Sequence, residues 1–583
     1  MNLTDEVFIN ANHDLDCALA EIMDLTYDRF GNMKLVTCVK ELVELRIDHL
    51  HSLHGSKMNT IQEELKFLAR EKWIWTLLEL MTRLRETNSS SLYQYAQMTA
   101  YIEKLIAHHG VSSEMDMHDD IEDEIEEIVR TNRILNGFMG SRKRRHSQTL
   151  NDTEITYQQL FRAFRSGDIQ KACDISQQLE HHTWRTGLIM RYIEQRKRAL
   201  EGKRVEWLDE QRKTWNWLYD QKESQDKLGQ YETGILGAFC GRTEKLLPIC
   251  RGWEDVIWAF YNGRIHQAEE AQASTNQADD NAPPTLLVDK EYIEIASRKK
   301  DSLQDEYLQL FATLTLSILH GKIQEGISYC CSLLEDSKAP SNLRIRPESW
   351  MWPYALRLVS TLILYSRIYC NQPSDPITDK ILGYYAKHNV TKPNFRPKAL
   401  ALYASYTPQS VQVPVVSDFL AANFWDNEER VMLFDMGKQY GLDMVSILRQ
   451  TWKRTLDDFL DEGSIIHKPP RGIWLHDDDD DDEDDDQSTH SIQQLPYGVK
   501  RCLMHFAWLL MDDHLYFDAI RAANKLGNHF LVTKQYRAAN KLISSIPGSI
   551  IDMAILQADC NVDLPAPIRE FEDLCTRVGN FCN

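Results

Sequence analysis

The sequence has almost no signal for β-structure. No run of β-branched residues alternates cleanly with polar ones, and no Asn-Gly pair sits between alternating segments. It also lacks the phosphate-binding GxxxxGK(S/T), the dinucleotide GxGxxG, the nucleophile elbow GxSxG and the zinc-binding HExxH, so none of these signatures marks an enzyme. Its 12 cysteines include no CxxC pair; Cys330 and Cys331 are adjacent, and no Cys/His cluster has zinc-site spacing. Scattered thiols in a chain of this size are expected to be buried and free, in a reducing compartment. The first residues, MNLTDEVFINANHD, have no basic and apolar signal pattern. The most apolar windows, such as LRLVSTLILYSRIY, are too short for a membrane span and contain Arg. A soluble intracellular protein is expected, in which the Asn-x-Ser/Thr sequons at Asn2, Asn88, Asn151 and Asn389 are chance matches. Basic charge is in deficit: 66 Lys and Arg stand against 87 Asp and Glu, a net charge of -21. An acidic surface repels nucleic acid and anionic membrane, so direct binding to either is not expected.

What is present is helical periodicity in a chain of 583 residues, too long for one compact core. Val499, Cys502, Leu503, Phe506 and Leu510 share one helical face. Leu515, Ala519, Ala522, Ala523 and Leu526 repeat the spacing up to an expected stop at Gly527. A weak internal repeat joins helices in pairs: a glycine that ends one helix, then a small or apolar residue five positions on. Its copies are SGDIQKAC around Gly167, CGRTEKLL around Gly241, NGRIHQAE around Gly263 and HGKIQEGI around Gly321, with a relative lacking glycine, TKQYRAAN, ending at Asn540. Glycine there takes a left-handed cap, and the small residue lets the second helix lie close. The irregular spacing excludes constant-period arrays and predicts an all-α, irregular α-solenoid of stacked helical hairpins.

Interruptions divide the chain into expected parts. Residues 1–140 form an N-terminal helical region, acidic over 111–127, and 141–153 a basic polar linker. Residues 154–274 are a helical block, 275–284 a linker, and 285–462 a continuing solenoid. Residues 463–494 are a disordered insertion holding the all-acidic run Asp477 to Asp486, and 495–583 a C-terminal helical block.

Candidate chemistry is sparse. His51 and His54 lie three apart on one helix face beside His49 and Asp48, which read as exposed or capping residues more readily than as metal ligands. His118-Asp119 resembles half of a metal phosphohydrolase pair, set in an acidic surface run; it supports a competing reading as a helical metal-dependent hydrolase. Arg142, Lys143, Arg144 and Arg145 fit either an import signal or a solvated linker, and RRHS offers Ser147 to a basophilic kinase. The acidic run reads as a solvated insertion. No catalytic residue, metal or cofactor is expected.

The stretch GAFCGRTEKLLPICRGWEDVIWAFYNG, residues 237–263, could be an aromatic pocket or a tightly packed helix. Glu254 and Asp255 fall in a first helical turn, where carboxylates favour the positive end of the dipole, and Val256, Ile257 and Phe260 follow. Asn262-Gly263 predicts the stop, giving a helix of about ten residues. So short a helix needs Trp253 and Trp258 as anchors in a core.

Four blocks resemble the scaffold nucleoporin family called nucleoporin 107 in animals and nucleoporin 84 in yeast. They are LFRAFRSGDIQKACDISQQLEHHTWRTGLI, with its Trp184-Arg185 pair; YETGILGAFCGRTEKLLPICRGWEDVIWAFYN, the most distinctive; ALALYASYTPQSVQVPVVSDFL with EERVMLFDMGKQYGLDMVSILRQT and its Gly441-Leu442-Asp443 turn; and MHFAWLLMDDHLYFDAIRAANKLGNHFLVTKQYRAANKLISSIP, ending at Ile546-Pro547. They run in family order from Leu160 to Pro547. The resemblance implies a coat-protein-like solenoid folded back on itself, without enzymatic activity. It implies a scaffold of the Y-shaped subcomplex of the nuclear pore in the nuclear envelope, supporting mRNA export and protein import. Its partners would be neighbouring stem nucleoporins, and any membrane association would be indirect. Trp253, Glu254, Asp255 and Trp258 are its signature core. Trp184, Leu188, Ile189 and Tyr192 are candidates for a partner interface, with a core role the alternative for each. A vesicle-coat subunit is the competing reading of the same class. Family members continue into a further helical tail, so the chain, which ends at Asn583, is expected to be truncated there. The acidic insertion has no matched counterpart in the family.

Overall fold

The computed structural model describes residues 15–16, 18–19, 22–23, 32–53, 58–87, 89–108, 154–177, 183–203, 208–223, 229–274, 286–303, 305–335, 345–390, 397–461, 495–557 and 566–582. The expected segments 111–127, 141–153, 275–284 and 463–494 lie outside them. Among the described residues every regular element is helical, so the all-α expectation holds. No described helix is long and apolar enough to cross a membrane. Contacts divide the chain into two compact units, Phe30–Trp352, and Met1–Arg29 with Pro353–Asn583.

The unit Phe30–Trp352 begins with α1 (Asn32–Ser52) packed on α2 (Met58–Glu86). Next come helical residues 91–108 (α3) and 154–165 (α4). Then follow α5 (Ile169–Ser176), α6 (Thr183–Leu200), α7 (Leu208–Glu223), α8 (Gln230–Cys240), the single turn α9 (Thr243–Leu246), α10 (Trp253–Ser274), α11 (Lys290–Asp301), α12 (Glu306–Leu319) and α13 (Ile323–Leu334). Chain neighbours pack as hairpins: α5 on α6, α7 on α8, α10 on α11, and α12 on α13. A long-range contact sets α12 against α2, where Phe67 meets Phe311 edge-on at 5.1 Å.

The other unit holds α14 (Trp352–Tyr369), whose first residue lies across the division, α15 (Pro376–Val390), α16 (Pro397–Ser405), α17 (Gln409–Ala422), α18 (Asn427–Gln439), α19 (Met444–Asp461), α20 (Tyr497–Phe506), α21 (Tyr516–Val532), α22 (Tyr536–Ser544), α23 (Gly548–Gln557) and α24 (Ala566–Cys582). Here α15, α16 and α17 pack on one another, and α21 is flanked by α22, α23 and α24. Val499, Cys502 and Phe506 are buried as their periodicity predicts, as are Leu515, Ala519, Ala522, Ala523 and Leu526. Cys240, Cys250, Cys330, Cys331 and Cys502 are buried thiols outside any disulfide, and Cys370 is exposed.

The repeat is a Schellman turn. Gly167, Gly241 and Gly321 have φ of 70°, 71° and 74°. After each, the next amide reaches back across the turn: Asp168 to Ala163 O at 3.0 Å, Arg242 to Gly237 O at 2.8 Å, and Lys322 to Ser317 O at 2.8 Å. Gly441 makes the same turn, with the Leu442 amide on Gly437 O at 2.9 Å. The small positions are also explained, since Ala172 and Ala539 are buried and a Cβ on Gly326 would lie 2.5 Å from Ser317 Cβ.

Two glycines read as stops are not. Gly263 lies inside α10, which runs 22 residues instead of about ten, and Gly527 lies inside α21. Each permits a close approach: an added Cβ would sit 2.4 Å from Thr243 Cγ2 at Gly263 and 2.5 Å from Leu574 Cδ2 at Gly527. Helix-forming Ala, Gln and Glu residues after Gly263 carry α10 onward, with Ile265, His266, Ala268 and Glu269 buried.

In the copy without glycine, Lys534 takes the left-handed conformation itself, at φ 61°, and the Gln535 amide bonds Phe530 O at 2.7 Å. That conformation costs an L-residue about 1–2 kcal/mol, partly offset by the greater unfolded-state entropy of glycine. Lys534→Gly is therefore expected to stabilise by about 0.5–1 kcal/mol. A lower urea midpoint for the variant would contradict the strain.

Burial, with the Arg501 and Arg430 charges beside it, lowers the pKa of His505 to about 3. An unfolded imidazole titrates near ~6.5. The folded value is the lower one, so the unfolded chain takes up the proton first as pH falls. Stability from the neutral ring is complete above about pH 6.5 and is lost on acidification towards about pH 3. His505→Gln is expected to flatten the decline in urea midpoint across that window. An equally steep decline in both proteins would remove His505 as its cause.

Candidate functional site

Sequence points most strongly at the start of α10, and the structure builds a cluster there from five helices. Asp255, 1% exposed, turns one carboxylate oxygen, Oδ2, back to the chain, accepting from the Arg251 amide at 2.9 Å and the Gly252 amide at 3.1 Å. It thereby satisfies the amides of the two residues that precede the helix. Its Oδ1 faces the guanidinium of Arg165 from α4 in an ion pair.

One turn on, Trp258 is fully buried. Its indole Nε1 donates to Glu103 Oε1 on α3 at 3.2 Å, and the same oxygen accepts from Arg196 on α6 at 2.6 Å. Burial opposes the Arg196 charge, but the adjacent Glu103 carboxylate outweighs it, and the guanidinium pKa stands above its ordinary value. Around the indole, Phe161 and Phe164 of α4 make edge-on contacts at 6.0 and 5.9 Å, and Phe164 meets Phe239 of α8 at 5.3 Å. Such pairs add to the area they bury.

Further along α10, Asn262 receives the Tyr192 hydroxyl at 2.6 Å and donates to Ala238 O at 3.0 Å. Gln195 of α6 donates to Glu269 at 2.6 Å. Burial pushes the Tyr192 phenol above its ordinary pKa, so it is a neutral donor at physiological pH. Asn262, read from sequence as half of a stop signal, is thus a buried bridge between α6 and α8. The arrangement is a packing node, in which aromatic rings fill the space and the Asp255 and Glu103 carboxylates each face an arginine. It holds helices in register.

The expected residues divide accordingly. Trp253 (4% exposed), Asp255 and Trp258 are in the node, with Glu254 half-buried at its edge. Ile189 and Tyr192, candidates for a partner interface, are 2% and 4% exposed, so neither is presented at the surface of the chain. Tyr192 is turned inward by its bond to Asn262 and its ring contact with Phe164, 4.5 Å between centroids. Trp184 and Leu188 belong to α6, but their side chains are outside the described set. His49 and His51 occupy the last turn of α1, where positive charge favours the negative end of the helix dipole. Asp48 is exposed beside them. His54, His118, Asp119, Arg142, Lys143, Arg144, Arg145 and Ser147 are outside the described residues.

The sequence reading missed Glu103 and Arg196, whose partners are distant in the chain. It also missed Asp512, Asp513 and His514, whose ligand atoms come close enough for a cation. Asp512 is already engaged there, accepting from the His514 amide at 3.1 Å and pairing with Lys438 at 2.9 Å.

Similarity to known proteins covers most of this node. Residues 146–571 match the family model described as Nuclear pore protein 84 / 107. The human Nuclear pore complex protein Nup107 is 22% identical over 380 residues, covering 63% of this chain and 38% of that protein. Nucleoporin nup107 of Schizosaccharomyces pombe is 23% identical over 414 residues, covering 67% of this chain and 46% of its own length. The chain thus spans less than half the length of these relatives.

Proposed function

The chain belongs to the Nuclear pore protein 84 / 107 family, and from that premise we propose that it is a structural scaffold subunit of the nuclear pore complex at the nuclear envelope, supporting mRNA export and protein import. The carrying observation is the match over residues 146–571, which contains the whole of α4 to α10 and so most of the packing node. The proposed mode of action is helix-to-helix binding of other scaffold nucleoporins, neighbouring stem solenoids of the Y-complex, with membrane association indirect. Hairpins locked internally by buried pairs leave their outward faces to serve as contact surfaces.

A tagged copy at its own locus is expected at the nuclear rim and to co-purify with other scaffold nucleoporins. A vesicular pattern without rim signal would replace this reading with a coat subunit of vesicle traffic. Of the four interface candidates, Trp184 and Leu188 are the ones retained in the proposal. Leu188→Glu is expected to abolish that co-purification with the helical circular dichroism unchanged. Loss of both would return Leu188 to the core.

A further inference from the structure

Three serines stand three residues after an arginine in the sequence: Ser147, Ser349 and Ser360. Ser147 is outside the described residues, and Ser360 is fully buried inside α14. Ser349 lies outside any helix, on the segment between α13 and α14, in the stretch RIRPESW. Arg346, Pro347 and Glu348 are exposed, Ser349 is half-buried, and Trp350 is 37% exposed. The Ser349 amide donates to Arg346 O at 2.9 Å, closing a β-turn with Pro347 at its second position, where the fixed φ of proline is favoured. The Ser349 hydroxyl oxygen accepts the Met351 amide at 3.4 Å, a long bond. The turn therefore brings an exposed guanidinium and a hydroxyl together on one short loop.

A loop serves as the substrate of a modifying enzyme only if it can be drawn out into that enzyme's cleft, which exposed turns allow and packed helices do not. On one side the segment is anchored by Ile345, 1% exposed, whose amide bonds Leu333 O at 3.0 Å; on the other α14 begins at Trp352. Drawing out residues 346–351 breaks the bonds of Ser349 to Arg346 and Met351 and leaves both helices intact. Such local openings need far less free energy than unfolding a core element. Ser360 has the same spacing from Arg357, but its hydroxyl is reached only if α14 unfolds. The chemistry that reads an arginine at this spacing is a carboxylate in the enzyme's cleft, paired with both arms of the guanidinium.

We propose that Ser349 is a phosphorylation site, modified on the folded chain by a serine/threonine kinase that recognises Arg346. In that step a lone pair of Ser349 Oγ attacks the γ-phosphorus of a nucleoside triphosphate held by the kinase. The Oγ–P bond forms as the bond from the γ-phosphorus to its bridging oxygen breaks; the nucleoside diphosphate leaves with that electron pair, and the hydroxyl proton passes to a base of the kinase. The product carries about -1.5 to -2 charge, three residues from the Arg346 guanidinium and beside the Met351 amide. Charge-assisted hydrogen bonds to both donors then hold the turn closed.

The test incubates the full chain with ATP and a purified kinase that requires arginine three residues before its serine, and locates the phosphate by peptide mass spectrometry. Ser349 is expected to be modified in the folded chain at an initial rate within about tenfold of that for a synthetic peptide of residues 343–353. Arg346→Gln, in the chain and in the peptide alike, is expected to lower that rate about tenfold or more, with Ser360 unmodified throughout. A folded chain that stays unmodified at Ser349 while the peptide is modified overturns the proposal, as does a peptide that accepts no phosphate. An unchanged rate with Arg346→Gln overturns it too, and phosphate on Ser360 alongside Ser349 does so by showing that the chain was modified unfolded. In the modified chain, hydrogen exchange at Met351 and Trp352 is expected to slow about threefold or more. Faster exchange there overturns the closing of the turn by the phosphate.

Discussion

Replacing Trp258 with alanine is expected to destabilise the chain by about 3–5 kcal/mol, the range for truncating a large aromatic in a core. The indole is fully buried between Phe161 and Phe164, so its loss leaves a cavity lined by rings that cannot collapse into it without leaving their own contacts. A second contribution is polar. Glu103 loses the indole N–H but keeps Arg196, so the charge pair survives while one of its hydrogen bonds does not. Trp258→Phe separates the two contributions by retaining much of the volume and removing only the donor, with an expected cost nearer 1–2 kcal/mol. The measurement is urea unfolding of the full chain, followed by hydrogen exchange in α3, α4 and α10 because the two-unit chain need not unfold in one step. If alanine costs under about 1 kcal/mol there, Trp258 does not hold the node.

Asp255→Ala is expected to cost about 3–5 kcal/mol, from a different cause. It takes the partner from Arg165, a largely covered guanidinium, and leaves the amides of Arg251 and Gly252 without their acceptor. Asp255→Asn is expected to recover part of the loss, since its amide oxygen can still accept from the backbone but carries no charge for Arg165. Equal losses for the two variants would place the whole effect in the ion pair. The double variant Arg165→Met with Asp255→Ala tests the coupling: if the orphaned charge dominates, removing both partners costs less than removing Asp255 alone.

Sequence showed most of what is local. The helical class and the turns at Gly167, Gly241 and Gly321 were legible because a left-handed cap leaves its mark within a few residues. Asp255 in a first turn was legible for the same reason, whereas Trp258 is buried in a helix of 22 residues and not in the short one from which its core role was expected. Gly263 and Gly527 were misread because glycine serves two ends. It stops a helix where φ turns positive and permits contact where another side chain presses in, and only the partner, Thr243 or Leu574, tells which. The Glu103 link to Trp258 joins residues 155 positions apart, and nothing near either one announces the other. The inward turn of Ile189 and Tyr192 was not legible because an apolar stripe on a helix has the same spacing whether it meets its own chain or another.

The recurring Schellman turn has a consequence for how such a chain lengthens over time. Each joint is built from backbone hydrogen bonds and one residue at positive φ, and Lys534 shows that even glycine is dispensable there. Nothing in the joint measures the distance to the next one. Helices between joints are therefore free to grow, shrink or take up foreign sequence while every corner keeps its angle. In this chain the turns at Gly167, Gly241, Gly321 and Gly441 share one hydrogen-bond pattern although the stretches between them differ in length.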